Sequence, residues 1–200
     1  MRTAIMDYGV GNLHSISKGL ERAGAKVDVV TDPSELLESD CIVFPGVGAF
    51  GAAMDALRPV LPSLRRKILR ERTPTLGVCL GMQILFERSE ESPGEGLSVL
   101  KGDVKKLLAP RIPQMGWNEV RWRADPLFAG VAPGSQFYFA NSYVCSPSED
   151  IGIADSEYGQ VFSSAVRREN LCGVQFHPEK SDVQGLRLLE NFVKLAEGRR

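Results

Sequence analysis

Histidine is scarce in this chain: there are two in 200 residues, His14 and His177. Cysteine is nearly as scarce, with four, at positions 41, 79, 145 and 172. The cysteines show no metal-ligand spacing, and Cys41 and Cys172 lie inside buried-strand patterns, so neither a metal site nor a disulfide framework is expected. No apolar run approaches the roughly 20 residues that cross a bilayer. Net charge is also missing, at −1, which excludes the basic footprint of a binder of nucleic acid or anionic membrane. The opening residues, Met1-Arg2-Thr3-Ala4-Ile5-Met6-Asp7, lack the length and cleavage site of a secretory signal. A reducing, cytoplasmic setting is expected, with no nucleic-acid or membrane partner. There are no internal repeats and no low-complexity linker, which predicts a single domain.

What is present is ordinary globular material, 43% hydrophobic and 24% charged, enough for one sizeable core. The first half alternates strand and helix signals. Strands are expected at Thr3–Met6, Lys26–Val30, Cys41–Phe44 and Thr75–Val78. Asn12 can cap a helix with Leu13, Ile16, Leu20 and Ala23 on one face and Gly24 at its end. Helical segments follow over residues 50–71, broken near Pro59 and Pro62. This rhythm predicts an α/β fold: a mostly parallel central sheet flanked by helices. Residues 88–96 read as a polar loop. From about residue 98 to 167 short strands and turns predict a mixed or antiparallel extension of the same sheet. A last helix begins at Ser181, with Leu186, Leu189, Val193 and Ala196 on one face.

Chemistry concentrates at three strand ends. Gly77-Val78-Cys79-Leu80-Gly81 places a thiol between small residues, directly after a strand and before a segment, Leu80 to Glu87, that can be helical. A nucleophile on a sharp strand-to-helix turn needs such neighbours, because the backbone there is strained and packs tightly. Far downstream the run Cys172-Gly173-Val174-Gln175-Phe176 delivers His177-Pro178-Glu179. A thiol with an ordinary pKa of about 8.5 needs a base, so His177 is expected to take the proton from Cys79 while Glu179 orients the imidazole. An oxyanion needs donors. The backbone N–H of Leu80 supplies one, and Pro45-Gly46-Val47-Gly48 another: Gly46 and Gly48 leave the Val47 peptide free to present its N–H. These glycines match neither a dinucleotide fingerprint nor a P-loop.

Together these motifs resemble class I, triad-type glutamine amidotransferases, and the resemblance covers essentially the whole chain. Within that family the chain is similar to the glutaminase subunits of imidazole glycerol phosphate synthases. That finer likeness rests on Met6-Asp7-Tyr8-Gly9-Val10-Gly11-Asn12-Leu13, on Pro45-Gly46-Val47-Gly48-Ala49-Phe50 and on Pro113-Gln114-Met115-Gly116-Trp117-Asn118. It implies one glutaminase domain over residues 1–200. L-Glutamine would be hydrolysed through a thioester on Cys79, without a cofactor. The ammonia would pass to a separate (β/α)8-barrel cyclase subunit in a heterodimer serving histidine biosynthesis. The resemblance further implies that Gln83 contacts the bound glutamine, with Asn141, Ser142 and Tyr143 lining its pocket. Asn12, Lys180 and Trp117 would face the partner. Related subunits often carry a histidine where this chain has Asn141. Two alternatives stay open at this point: a glutaminase for another acceptor, such as pyridoxal phosphate synthesis, or a non-catalytic regulatory protein of similar fold.

Overall fold

The computed structural model describes residues 1–9 and 13–198; Asn12, expected at the head of the first helix, lies outside them. In chain order the first half runs β1 (Arg2–Met6), α1 (His14–Arg22), β2 (Lys26–Val30), β3 (Cys41–Phe44), α2 (Phe50–Leu57), α3 (Leu61–Leu69), β4 (Thr75–Val78) and α4 (Leu80–Gln83). The four expected strands fall where the apolar runs placed them. A 3-10 turn, Arg58–Val60, separates α2 from α3 at Pro59, because proline cannot donate into a continuing helix.

The second half contains β5 (Arg88–Ser89), β6 (Ser92–Glu95), β7 (Gly102–Lys106), β8 (Gln114–Glu119), β9 (Arg121–Trp122), β10 (Gln136–Asn141), β11 (Tyr143–Pro147), β12 (Gly152–Tyr158), β13 (Gln160–Arg168), β14 (Leu171–Val174) and α5 (Asp182–Glu197). The main sheet has eight strands in the order β2-β1-β3-β4-β14-β13-β12-β9. Pairing is parallel from β2 to β14 and antiparallel beyond it. The expected antiparallel extension is therefore continuous with the parallel sheet. Two smaller sheets complete the fold, β10-β8 and β11-β7-β5-β6.

Strand alternation divides the core between the two faces of the sheet. Ile5, Val43, Leu76, Val78, Cys172 and Val174 point toward α1 and α5, where Ile16, Leu20, Leu189 and Phe192 meet them. Ala4, Met6, Ile42, Phe44 and Leu171 point toward α2 and α3, against Phe50, Leu57, Leu64 and Ile68. Each large side chain removed from water contributes on the order of 1.5–3 kcal/mol. On α5 the buried face includes Leu189, Val193 and Ala196 as expected and adds Leu188 and Phe192, whereas Leu186 is only half-buried.

Two expectations need correction. The helix after Cys79 stops at Gln83 rather than Glu87. The Ile84, Leu85 and Phe86 carbonyls that would continue it accept instead from Leu97, Val99 and Ser98, so the chain arriving at residues 97–99 caps the short helix from outside. Residues 88–96 are not a plain loop either: β5 and β6 pair as an antiparallel hairpin. Pro93 is tolerated because β6 is the edge strand of its sheet.

Candidate active site

Three adjacent parallel strands place the three motifs together. Phe44 at the end of β3 pairs with Gly77 of β4, and Val78 of β4 pairs with Val174 of β14. The segments that follow, Pro45–Gly48, Cys79 and Gln175–Glu179, leave the sheet side by side at its carboxyl edge. That edge is where open α/β sheets hold their ligands.

Cys79 sits at φ 47° and ψ −106°. A non-glycine residue there is strained by roughly 1–3 kcal/mol, and the surroundings hold it. Its N–H donates to the Val174 carbonyl at 2.7 Å, while its own carbonyl accepts from Met82 and Gln83 at 3.0 and 3.1 Å. Glycine is required at two neighbouring places. A Cβ on Gly81 would land on the Phe44 carbonyl. A Cβ on Gly46 would stand 2.8 Å from His177 Cε1 and 2.9 Å from Cys79 Cβ. A side chain at Gly46 would therefore press on both Cys79 and His177.

His177 and Glu179 are bonded to each other, Nδ1 to Oε1 at 2.8 Å, with side chains only 5% and 9% exposed. A carboxylate can only accept at that distance, so Nδ1 carries a proton and the second ring nitrogen is left for Cys79, which flanks Gly46 together with the ring. Burial disfavours the imidazolium, yet the bonds to Cys79 and Glu179 and their negative charges outweigh it. The His177 pKa is pushed up to about 10. At neutral pH this environment favours an imidazolium beside the sulfur.

The backbone of His177 is fixed as firmly as its ring. Its N–H donates to the Tyr138 carbonyl at 2.8 Å. The Ser181 hydroxyl donates to the His177 carbonyl at 2.6 Å and accepts from the Tyr138 N–H at 3.0 Å. Ser181 precedes α5 but makes no cap bond to it; the hydroxyl ties the histidine loop to β10 instead. Phe137 and Phe139 on the buried face of β10 pack on Phe176, with ring centroids 4.3 and 5.7 Å away.

The remaining expected residues fall as follows. Leu80 is the first residue of α4, where an N–H has no helical acceptor. Val47 is half-buried between Gly46 and Gly48. Gln83 is buried and its Nε2 donates to the Tyr143 carbonyl at 3.1 Å and to Gln175 Oε1 at 3.3 Å. Asn141 Nδ2 donates to the same Tyr143 carbonyl, at 3.1 Å. Asn141, Ser142 and Tyr143 form the bend from β10 into β11, and the preceding Ala140 carbonyl faces the Cys79 sulfur at 3.8 Å. Lys180 and Trp117 stand apart from the thiol on the outer side of β10. Lys180 Nζ lies 5.7 Å over the Tyr138 ring, and Trp117 meets that ring edge-on at 6.2 Å. Among the described residues no cluster of His, Cys, Asp or Glu could hold a metal ion.

Sequence reasoning overlooked three residues here. Gln175 stands in a strand-like run and its Nε2 donates to the Cys79 sulfur at 3.5 Å; a lone amide in an otherwise apolar run was the available signal. Ser181 was read only as a helix start. Glu91 caps α2, its carboxylate accepting from the Phe50 N–H at 2.9 Å, and no local pattern announces a cap from 41 residues away.

A strained cysteine elbow, a His–Glu pair from the neighbouring strand and a glycine between them bring a thiol, an imidazole and a carboxylate together at one edge of an α/β sheet. Residues 4–196 match the model of the glutamine amidotransferase class-I family, and the chain belongs to that family. It is 47% identical to imidazole glycerol phosphate synthase subunit HisH of Methanocaldococcus jannaschii, over 96% of this chain and 98% of that one. It is 48% identical to the subunit of the same name from Pyrococcus furiosus, over 97% and 99%. Among solved structures, a glutamine amidotransferase superposes with a TM-score of 0.77 at 18% identity, over 98% of both chains. Another, from Thermotoga maritima, gives 0.67 at 19%, over 100% of this chain and 85% of that one. At those identities the structures speak for the fold alone.

Proposed function

We propose that this chain is the cytoplasmic glutaminase subunit of an imidazole glycerol phosphate synthase, with residues 1–200 forming one glutaminase domain. The observation that carries the chemistry is the His177–Glu179 pair, bonded at 2.8 Å, beside the strained Cys79 at the ends of two paired parallel strands. The near-full-length identity to subunits of that synthase selects the acceptor.

Cys79 attacks the side-chain amide carbon of glutamine as the thiolate, its proton held by the His177 imidazolium. The oxyanion is met by the N–H of Leu80 and, after its peptide turns inward, by that of Val47. His177 returns a proton to the leaving nitrogen and ammonia departs. Water then hydrolyses the thioester by the same route. Both N–H groups of Gln83 are engaged inside the protein, so its contact with glutamine is made through Oε1, with Asn141, Ser142 and Tyr143 on the same wall. The docking face for a (β/α)8-barrel cyclase is the outer strand β8 with Lys180. Met115 and Trp117 are 67% and 48% exposed there, an apolar pair beside a cation on a short stretch of surface.

The test is Cys79→Ser in the presence of the cyclase. Glutamine-dependent cyclisation and glutamate release are expected to vanish, while added ammonium salts still support cyclisation. Near-normal glutamate release from Cys79→Ser removes the thiol from the mechanism. Retained glutaminase activity without cyclisation alongside a cyclase redirects the acceptor.

A further inference from the structure

One buried chain of amides ends on the reacting sulfur. Gln175 is wholly buried and Gln83 is 5% exposed, so water does not compete for their amides. The polarity of the chain is determined from its far end. The Tyr143 backbone carbonyl can only accept, and both its lone pairs are taken, by Asn141 Nδ2 and Gln83 Nε2, each at 3.1 Å. Gln83 must therefore turn its NH2 inward. The second hydrogen of that NH2 goes to Gln175 Oε1 at 3.3 Å. With its oxygen committed to Gln83, Gln175 has only its nitrogen left for Cys79, 3.5 Å from Sγ. Flipping either amide would set acceptor against acceptor inside the core, at a cost of about 1–3 kcal/mol for each group left unpaired.

The sulfur also faces the Ala140 carbonyl, at 3.8 Å. That oxygen is satisfied by the neutral thiol and repels the anion. Gln175 does the reverse: an N–H bonds a thiolate more strongly than a thiol.

We propose that Gln175 is a catalytic hydrogen-bond donor to the Cys79 sulfur, with Gln83 as the positioning residue that fixes its polarity. The assignment rests on Cys79 being the nucleophile. Gln175 then acts twice in each turnover. Before attack it favours the sulfur anion. At deacylation, water adds to the γ-carbonyl carbon and gives its proton to His177; the C–S bond breaks and its electron pair returns to Sγ, where the Gln175 N–H receives it.

The experiment is the pH dependence of Cys79 alkylation by iodoacetamide in the full chain. It is read by mass spectrometry of the Cys79 peptide between about pH 5 and pH 10, and Cys79→Ser gives the background. Gln175→Met is expected to move the midpoint upward by roughly one to two pH units, the size of a lost hydrogen bond to a charged atom. Gln175→Glu, which sets a carboxylate against the sulfur, moves it further in the same direction. Gln83→Met, which does not touch the sulfur, gives a smaller upward shift by releasing the Gln175 amide. A folded Gln175→Met with the wild-type midpoint overturns the proposal. If Gln175→Met does not fold, an unchanged midpoint in Gln83→Met overturns it. The outcome is separable from the function itself. A Cys79→Ser chain that still hydrolyses glutamine removes the nucleophile, whereas an inactive Cys79→Ser with unshifted profiles removes only the role of Gln175.

Discussion

The carboxyl edge of the parallel sheet and the β8–β10 ribbon both touch Cys79 and His177, but they are built differently. β3, β4 and β14 are buried throughout, and each pairs with a neighbour on both sides. The ribbon is two-stranded, with Met115 and Trp117 exposed on its outer strand. Its inner edge reaches the site through few bonds: the Tyr138 carbonyl to the His177 N–H, Ser181 between the two, and the Ala140 carbonyl facing Cys79. The sheet edge thus fixes where Cys79 and His177 lie. The ribbon joins the histidine backbone to an outside face, so a push on that face has a hydrogen-bonded route inward.

If the sheet edge carries the chemistry, the largest losses follow damage there. His177→Ala is expected to lower glutamine hydrolysis by about 10²–10⁴-fold through lost proton transfer. Glu179→Ala should cost less, since it orients and charges the imidazole without itself moving the proton. Steady-state glutamate release from the two variants decides it, and equal losses would deny the division of roles. Next in size is Gly46→Ala. Its methyl would press on His177 and Cys79 from 2.8 and 2.9 Å and on the Val78 carbonyl from 3.0 Å. Something in the pair must move, and a misplacement of that order costs about 10²-fold in rate, alongside overpacking of about 1–3 kcal/mol. Wild-type turnover in Gly46→Ala would show that the loop yields freely.

The same contrast explains what the amino-acid sequence disclosed. Parallel strands buried on both faces read as short continuous apolar runs, so Cys41–Phe44 and Thr75–Val78 fall to the residue where the sequence puts them, and the partly exposed edge strand Lys26–Val30 does too. The motifs at their ends carried the elbow, the His–Glu pair and the glycine loop. The ribbon and the hairpin are half-exposed and stitched by long-range bonds, which leave little periodicity. Glu91 reaching Phe50, and residues 97–99 taking the carbonyls of a helix that would otherwise continue, are tertiary effects no local pattern holds. Gln83 reads from sequence only as a substrate contact; its inward bonds depend on a carbonyl 60 residues away.

Ser181→Ala tests the join between the two regions. It removes the hydroxyl that bonds both Tyr138 and His177 and leaves a part-buried N–H unpaired, for roughly 1 kcal/mol or more. Urea unfolding should register that loss. Glutamine hydrolysis should fall less than in Gly46→Ala, because no reacting atom is displaced directly. The ratio of partner-stimulated to basal glutamate release should fall more than the basal rate does. A uniform drop in both rates would mean that the ribbon is merely structural.

The smallest effect concerns pH and returns to the sheet edge. The His177 pKa stands raised to about 10, against burial, by its bonds to Cys79 and Glu179. A histidine raised on folding binds its proton more tightly in the native state, so it stabilises most where the unfolded chain is also protonated. Its contribution is complete below about pH 6.5, the unfolded value, and is lost as pH climbs through the folded one. Tyr8 and Cys145, both raised by burial, also favour unfolding in alkali, so the wild-type curve alone does not isolate the histidine. The difference from Glu179→Gln does. Without the carboxylate charge the imidazolium has one partner fewer and its folded pKa is lower, so the loss, which starts near the unfolded value of about 6.5 in both chains, is complete at lower pH. The wild-type advantage in urea midpoint over Glu179→Gln should then be largest near neutrality and shrink as pH climbs toward about 10. Parallel curves across that window would mean that Glu179 holds the ring in place without holding its charge.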